Sequence, residues 1–206
     1  MRRSLICSAL LAISSMFAQM PAAQADDAKA DLFGQQMFGA DPGKDKSYAC
    51  FVRTYDPGHL ARHRLQKVKA MKLLVTGETD PESRKLGYSF RMGVVFRNRS
   101  GNFDSSGDCG LGDMTENPTQ KAAMGCSVDC DGGGISVEMT PDNKSTLVRL
   151  ERIRIWQNNK PDEEGLDLSG GADDRVFRLD RAHIDMCRSL ITDRKELAAI
   201  RTLKKD

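Results

Sequence analysis

Histidine is scarce in this chain: 3 residues in 206, beside a single tryptophan, with aromatics at 6%. Nucleophilic catalysis needs a base within hydrogen-bond reach of the nucleophile, and histidine is the commonest such base. No G-x-S-x-G elbow occurs, and a Cys50–His59 pair has no motif behind it. His59 and His63 are spaced to share one face of a helix. A catalytic zinc takes three protein ligands, and His183 lies 120 residues further on. The pair therefore reads as two surface histidines. Nothing in the motif content points to an enzyme. Long apolar runs are lacking as well: Leu5–Phe17 is the longest at 13 residues, whereas a spanning helix needs about 20.

What the N-terminus does contain is an export pattern. Arg2 and Arg3 precede the apolar run, and Ala23-Gln24-Ala25 places small residues where a signal peptidase reads. Residues 1–25 are expected to be a cleaved signal peptide, which gives a periplasmic or secreted address. Cys7 lies at the start of the apolar run, where it is not a lipidation site. Removing 1–25 takes Lys+Arg from 31 to 29, against 29 Asp+Glu, so the formal net charge falls from +2 to zero. A nucleic-acid binder shows an excess of basic residues on one face. Here the signs are interspersed, as in Arg149, Glu151, Arg152 and Arg154, and the expectation is a mixed, solvated surface with no nucleic-acid partner.

The remaining 181 residues suit one domain. Residues 26–46 are polar and Gly/Pro-containing, which suggests a flexible leader with a short docked turn around Leu32–Phe38. Residues 47–206 are then a single β-rich domain. Ser47–Thr54 and Lys67–Thr76 have strand composition, the latter with a change of phase that implies a bulge near Met71. Tyr88, Phe90, Met92, Val94 and Phe96 alternate with mostly polar residues, as in an antiparallel strand over a core. Ile135, Val137 and Met139 make another inward row. Val148 and Leu150 are followed by Ile153 and Ile155 in the opposite phase, so a second bulge is expected near Glu151-Arg152. Arg175–Asp180 is a last short strand. Asp193 and Glu196 form a capping pair for a terminal helix, 193–203, with Leu197, Ile200 and Leu203 on one face. Strands without alternating helices predict a mainly β fold, a single antiparallel β-sandwich or barrel with a short C-terminal helix.

Two segments read as loops: Asn98–Gly112, rich in Gly, Ser, Asn and Asp, and the acidic Gln157–Asp174. Binding sites gather on loops at one end of such folds. Five cysteines remain after cleavage, so at most two bridges form and one thiol is left. The expectation is that Cys109, Cys126, Cys130 and Cys187 pair among themselves and Cys50 is free. The segment Cys126–Gly134 (CSVDCDGGG) is the most unusual. Asp129 and Asp131, with Asp173 and Asp174 of the acidic loop, are hard oxygen ligands suited to calcium, although the full calcium-loop pattern is absent. Its two cysteines have three residues between them, where zinc and redox motifs have two. Structural disulfides followed by a glycine turn are the plainer account. Trp156 reads as a core plug rather than a ligand platform.

The run CSVDCDGGG, taken with DDRVFRLD at Asp173–Asp180, resembles uncharacterised exported proteins of Gram-negative bacteria. That resemblance implies a periplasmic address and one domain, and carries no activity. The leading expectation is a non-enzymatic domain that binds a small ligand or an envelope protein. A metal-binding protein or metal-assisted hydrolase, using Asp129, Asp131 and the acidic loop, is the first alternative. A thiol-active protein using the odd cysteine is the second.

Overall fold

The computed structural model describes residues 32–39, 46–111, 123–158, 160 and 164–202. The expected signal, part of the expected leader and Leu203 of the expected helix lie outside the described residues. Among the described residues nine antiparallel strands form one sheet: β1 (Ser47–Thr54), β2 (Val68–Thr79), β3 (Leu86–Phe96), β4 (Asn102–Leu111), β5 (Ala123–Ser127), β6 (Gly133–Met139), β7 (Ser145–Gln157), β8 (Leu166–Ser169) and β9 (Val176–Ala182). The order is β6-β5-β4-β3-β2-β1-β9-β7-β8, and β6 also pairs with β7. The ladder therefore returns on itself. Of the two expected architectures, the pairing draws a barrel of eight strands with β8 attached outside the ring.

Period-two patterning decides what fills it. Tyr88, Phe90, Met92 and Val94 of β3 are all buried, as are Ile135, Val137 and Met139 of β6. They join Phe51, Phe103 and Phe177 in one continuous core. Burying side chains of this size contributes about 1.5–3 kcal/mol each. The bulges follow the changes of phase. β2 slips register between Val68 and Ala70, just before the expected position. Gly134 faces Arg152 while Ile135 faces Leu150, which leaves Glu151 as the extra residue of β7 and lets Leu150 and Ile153 both point inward.

Part of the sequence expected to be loop is strand. Asn102–Leu111 is β4, and Leu166–Ser169 is β8. β4 is Gly- and Ser-rich because its neighbours come close. A Cβ on Gly107 would overlap the Ser127 carbonyl and approach a Phe90 ring carbon to 3.2 Å. Buried Ser105 donates from Oγ to the Arg154 carbonyl at 2.8 Å. Tertiary context overrides the loop-like composition.

The expected leader also contributes to the core. Residues 32–38 form a helical segment, α1, at the Thr79–Leu86 end of the barrel, where Phe33 and Met37 are both fully buried. Phe33 meets Tyr88 edge-on at 5.8 Å. Arg181 donates through Nη1 to the Met37 carbonyl and through Nη2 to that of Gln36, both at 2.9 Å.

A smaller apolar cluster lies outside the barrel. Ala49 and Phe51 point inward, so Tyr48, Cys50 and Val52 face out. The 3-10 helix Ile184–Leu190 and a C-terminal helix, labelled α3 here (Arg194–Thr202), cover them with Cys187, Leu190, Ile191 and Ile200. This placement corrects the expected cysteine pairing. Cys50 is bonded to Cys187, with Cα atoms 5.9 Å apart, and Cys109 to Cys126, its register partner across β4 and β5. Cys130 is free and exposed. It lies past the end of β5, in a turn where Cys130 and Asp131 both have positive φ. Spacing along the chain carries neither the face of the sheet nor the register that decides these pairs.

Glu196 anchors α3. Asp193 Oδ1 caps the helix by accepting from Glu196 N at 2.7 Å. The Glu196 side chain does not complete a capping box. It accepts from Arg91 Nη2 at 2.9 Å and has Lys46 Nζ at 3.5 Å, with 8% of its surface exposed. Burial raises the Glu196 carboxyl, but the hydrogen bond and charge of Arg91, aided by Lys46 and Tyr48, outweigh it and hold the group below its ordinary value. Burial, and then this carboxylate, push the Tyr48 phenol up.

Two predictions follow from these contacts. Iodoacetamide applied to the native protein labels the peptide containing Cys130, whereas Cys50, Cys109, Cys126 and Cys187 label only after reduction; peptide mapping reads this directly. Because the folded Glu196 carboxyl is depressed, its contribution is full above the ordinary carboxylate value and is lost as pH falls through the folded value. The melting-temperature gap between wild type and Glu196→Gln should be present at pH 7 and shrink steadily below about pH 4.

Candidate functional site

At the Phe96 end of the barrel the chain leaves β1 and enters a short helix, α2 (Pro57–Arg62). Pro57 sits in its first turn, and Asp56 Oδ1 accepts from His59 N at 2.8 Å. The helix brings His59 and His63 onto one face as their spacing requires. Their rings stack at 4.3 Å, and His59 stacks on Tyr55 at 4.6 Å. Burial pushes the Tyr55 phenol up. The histidines are thus packing groups rather than merely surface ones. His59 Nε2 lies 3.0 Å from Oε1 of buried Gln66, whose Nε2 donates to the Val68 carbonyl at 2.7 Å.

After α2 the main chain runs through Arg64–Lys67 before entering β2. Two carboxylates from the connection between β8 and β9 hold it there. Asp173 Oδ2 accepts from Leu65 N at 3.1 Å. Asp174, fully buried, accepts from Lys67 N at 2.7 Å and Val68 N at 3.3 Å. Amides taken out of water need such partners, and the β2 ladder to β1 begins only at Ala70, beyond both of these amides.

Fixing that segment opens a cleft of about 410 Å³ between it and β8. The remaining wall is the β3–β4 connection, Phe96–Arg99. Phe96, Leu166 and Leu168 line its apolar side, and Leu168 is itself core. Arg64, Lys67, Arg97 and Arg99 line its polar side, all exposed. Arg97 Nη1 is held by the carbonyls of Leu60 at 3.2 Å and His63 at 3.4 Å. Arg99 lies over the Phe103 ring at 5.9 Å. Among the described residues none of these four cations is ion-paired. The carboxylate in the lining, Asp167, is taken up by Arg152 Nη1 and Arg154 Nε, each at 3.3 Å. Leu65, 66% exposed, stands on the rim.

The two segments expected to cluster do meet here. Asn98 and Arg99 of one, and Leu166, Asp167 and Leu168 of the other, line the same cleft. Alongside it, Asn158 N donates to the Asn102 carbonyl at 2.9 Å and Phe103 pairs with Gln157. The four basic side chains were not singled out from sequence. The clue was the basic density of Arg62–Lys67 (RHRLQK) and Arg97–Arg99 (RNR), dilute in a chain of balanced charge.

The expected metal ligands are placed otherwise. Asp173 and Asp174 bind main-chain amides, as above. Asp129 and Asp131 lie in the turn after β5, where the Asp129 carbonyl accepts from Gly132 N at 3.3 Å and the Asp131 carbonyl from Arg152 Nη2 at 2.5 Å. Among the described residues no three His, Cys, Asp or Glu side chains come together to hold a metal, so the calcium expectation finds no ligand set there. Gly133 and Gly134 serve backbone approach: a Cβ on either would overlap a carbonyl, of Arg152 or of Cys126. Trp156 alternates with the inward Ile153 and Ile155 and is only partly buried, packing against the core from outside rather than plugging it. Asp162 and Glu163 of the acidic segment lie outside the described residues. No protein-family model, curated protein or solved structure matches the chain.

Asp174→Ala strips one buried and one partly buried amide of their acceptor and should cost about 2–3 kcal/mol. Urea unfolding monitored by circular dichroism measures it, with Asp173→Ala, which loses an exposed bond to Leu65 N and a 3.6 Å contact with His63 Nδ1, costing much less.

Proposed function

We propose that this is a non-enzymatic, exported binding domain whose ligand occupies the cleft between Arg64–Lys67, Phe96–Arg99 and β8. The ligand carries an anionic group and an apolar portion. The observation behind this reading is four cations that have no carboxylate partner among the described residues, around an apolar floor of Phe96, Leu166 and Leu168. Unpaired charge of one sign in a concave site raises the local concentration of the opposite sign. Apolar lining beside a few fixed polar groups is the usual composition of a ligand pocket.

The periplasmic address rests on the export pattern of residues 1–25 and on the resemblance to exported Gram-negative proteins. Two disulfides suit an oxidising compartment. Among the described residues no helix is long and apolar enough to cross a membrane.

Calorimetric titration with octyl phosphate and with octylammonium tests the proposal. Octyl phosphate is expected to bind, weakening with salt because the cations are exposed, and octylammonium is not. Arg64→Glu/Lys67→Glu should reduce octyl phosphate affinity at least tenfold without a change in melting temperature. Equal binding of both amphiphiles, or an unaffected double variant, would overturn the reading.

A further inference from the structure

The cleft has a feature that a pocket for a compact anion does not need: it runs along an open sheet edge. β8 pairs with β7 through Arg152↔Ser169 to Ile155↔Leu166. Among the described residues nothing pairs with its other side. Leu166, Asp167 and Leu168 are consecutive, and neighbours in a strand point to opposite faces. All three line the cleft, and no residue of β7 does. The cleft is therefore seen by β8 along its edge rather than across one face. In an antiparallel ladder alternate residues direct N–H and C=O away from the existing partner. In β8 these residues are Asp167 and Ser169, since Gly170 N donates to the Glu151 carbonyl across the ladder, and Asp167 lines the cleft.

Resting on the anionic-ligand reading, we infer that the occupant is an extended acidic segment of a partner protein, added to β8 as a further strand. The edge supplies main-chain hydrogen bonds, and the two walls supply selection at alternate side chains. One set of partner side chains falls towards Phe96 and Leu168 and is apolar. The other falls towards Arg64, Lys67, Arg97 and Arg99 and is acidic. Charge decides between occupants. A second copy of this chain would bring a second set of the same four cations to the same edge, and like charges brought together are costly.

The probe is an acetylated, amidated hexapeptide of alternating glutamate and valine, measured by fluorescence anisotropy against the full chain. Two further peptides carry N-methyl groups at residues 2 and 4, or at residues 3 and 5. A strand has one edge against β8, so one methylation phase should weaken binding at least tenfold and the other should leave it nearly unchanged. Amide exchange at Leu166–Ser169 should slow at the residues directed away from β7. Arg64→Glu/Lys67→Glu should abolish the peptide complex while its circular dichroism stays that of wild type. Equal binding of both methylated peptides overturns strand addition, as does a peptide that fails to bind while octyl phosphate binds. Each of these leaves the anionic cleft standing. Failure of peptide and octyl phosphate alike overturns the cleft reading itself. A free protein that is dimeric, with the β8 edge already protected, assigns the edge to a second copy and overturns the inference.

Discussion

Everything in this barrel depends on β7. It is the longest strand and hydrogen-bonds with β4, β6, β8 and β9. Its first half closes the ring, between β6 on one side and β9 on the other. Its second half exchanges β9 for β8, and at Trp156 and Gln157 it reaches β4. The extra residue at Glu151 falls at the exchange. Without it Leu150 and Ile153 could not both face the core, and the strand could not keep one apolar surface across two partners. The candidate cleft is a by-product of that exchange. β9 departs towards β1, β8 takes its place only briefly, and the wall beyond β8 is left to Arg64–Lys67 and the β3–β4 connection.

Elements whose apolar residues alternate cleanly were legible in the sequence: β1, β3, β6, β7 with its bulge, β9 and most of α3. Elements explained by proximity were not. β4 resembles a loop because Ser105 and Gly107 are small to admit the Arg154 carbonyl, the Ser127 carbonyl and Phe90. α1 was legible only as a docked turn around Leu32–Phe38, because its two inward residues, Phe33 and Met37, are too few to show a helical period. The cysteine pattern illustrates the same limit. Two bridges and one thiol follow from counting, whereas the identity of the odd cysteine follows from which face of β1 bears Cys50.

The candidate site was half legible. Its place, where the Asn98–Gly112 and Gln157–Asp174 segments meet, could be anticipated from composition. Its chemistry could not, because three acidic residues of that segment, Asp167, Asp173 and Asp174, are employed elsewhere. Asp173 and Asp174 secure main-chain amides, and Asp167 answers Arg152 and Arg154. The charge left over in the cleft is positive, the opposite sign to that of the acidic segment that helps to form it. An excess of one residue type along a chain is a poor guide to local potential when those side chains already have partners.

The bond between Cys50 and Cys187 spans 137 residues of sequence and ties the first strand to the segment just after the last. Nearly the whole barrel lies within that covalent loop. Under tension applied through the two ends of the chain, force passes from Ala49 through the sulfur atoms to Arg188 and bypasses the strands between. Among the described residues, only α1, the first residues of β1, the end of the 3-10 helix and α3 carry load and can be drawn out. The cleft, enclosed by the bypassed segment, would stay assembled while the ends were stretched.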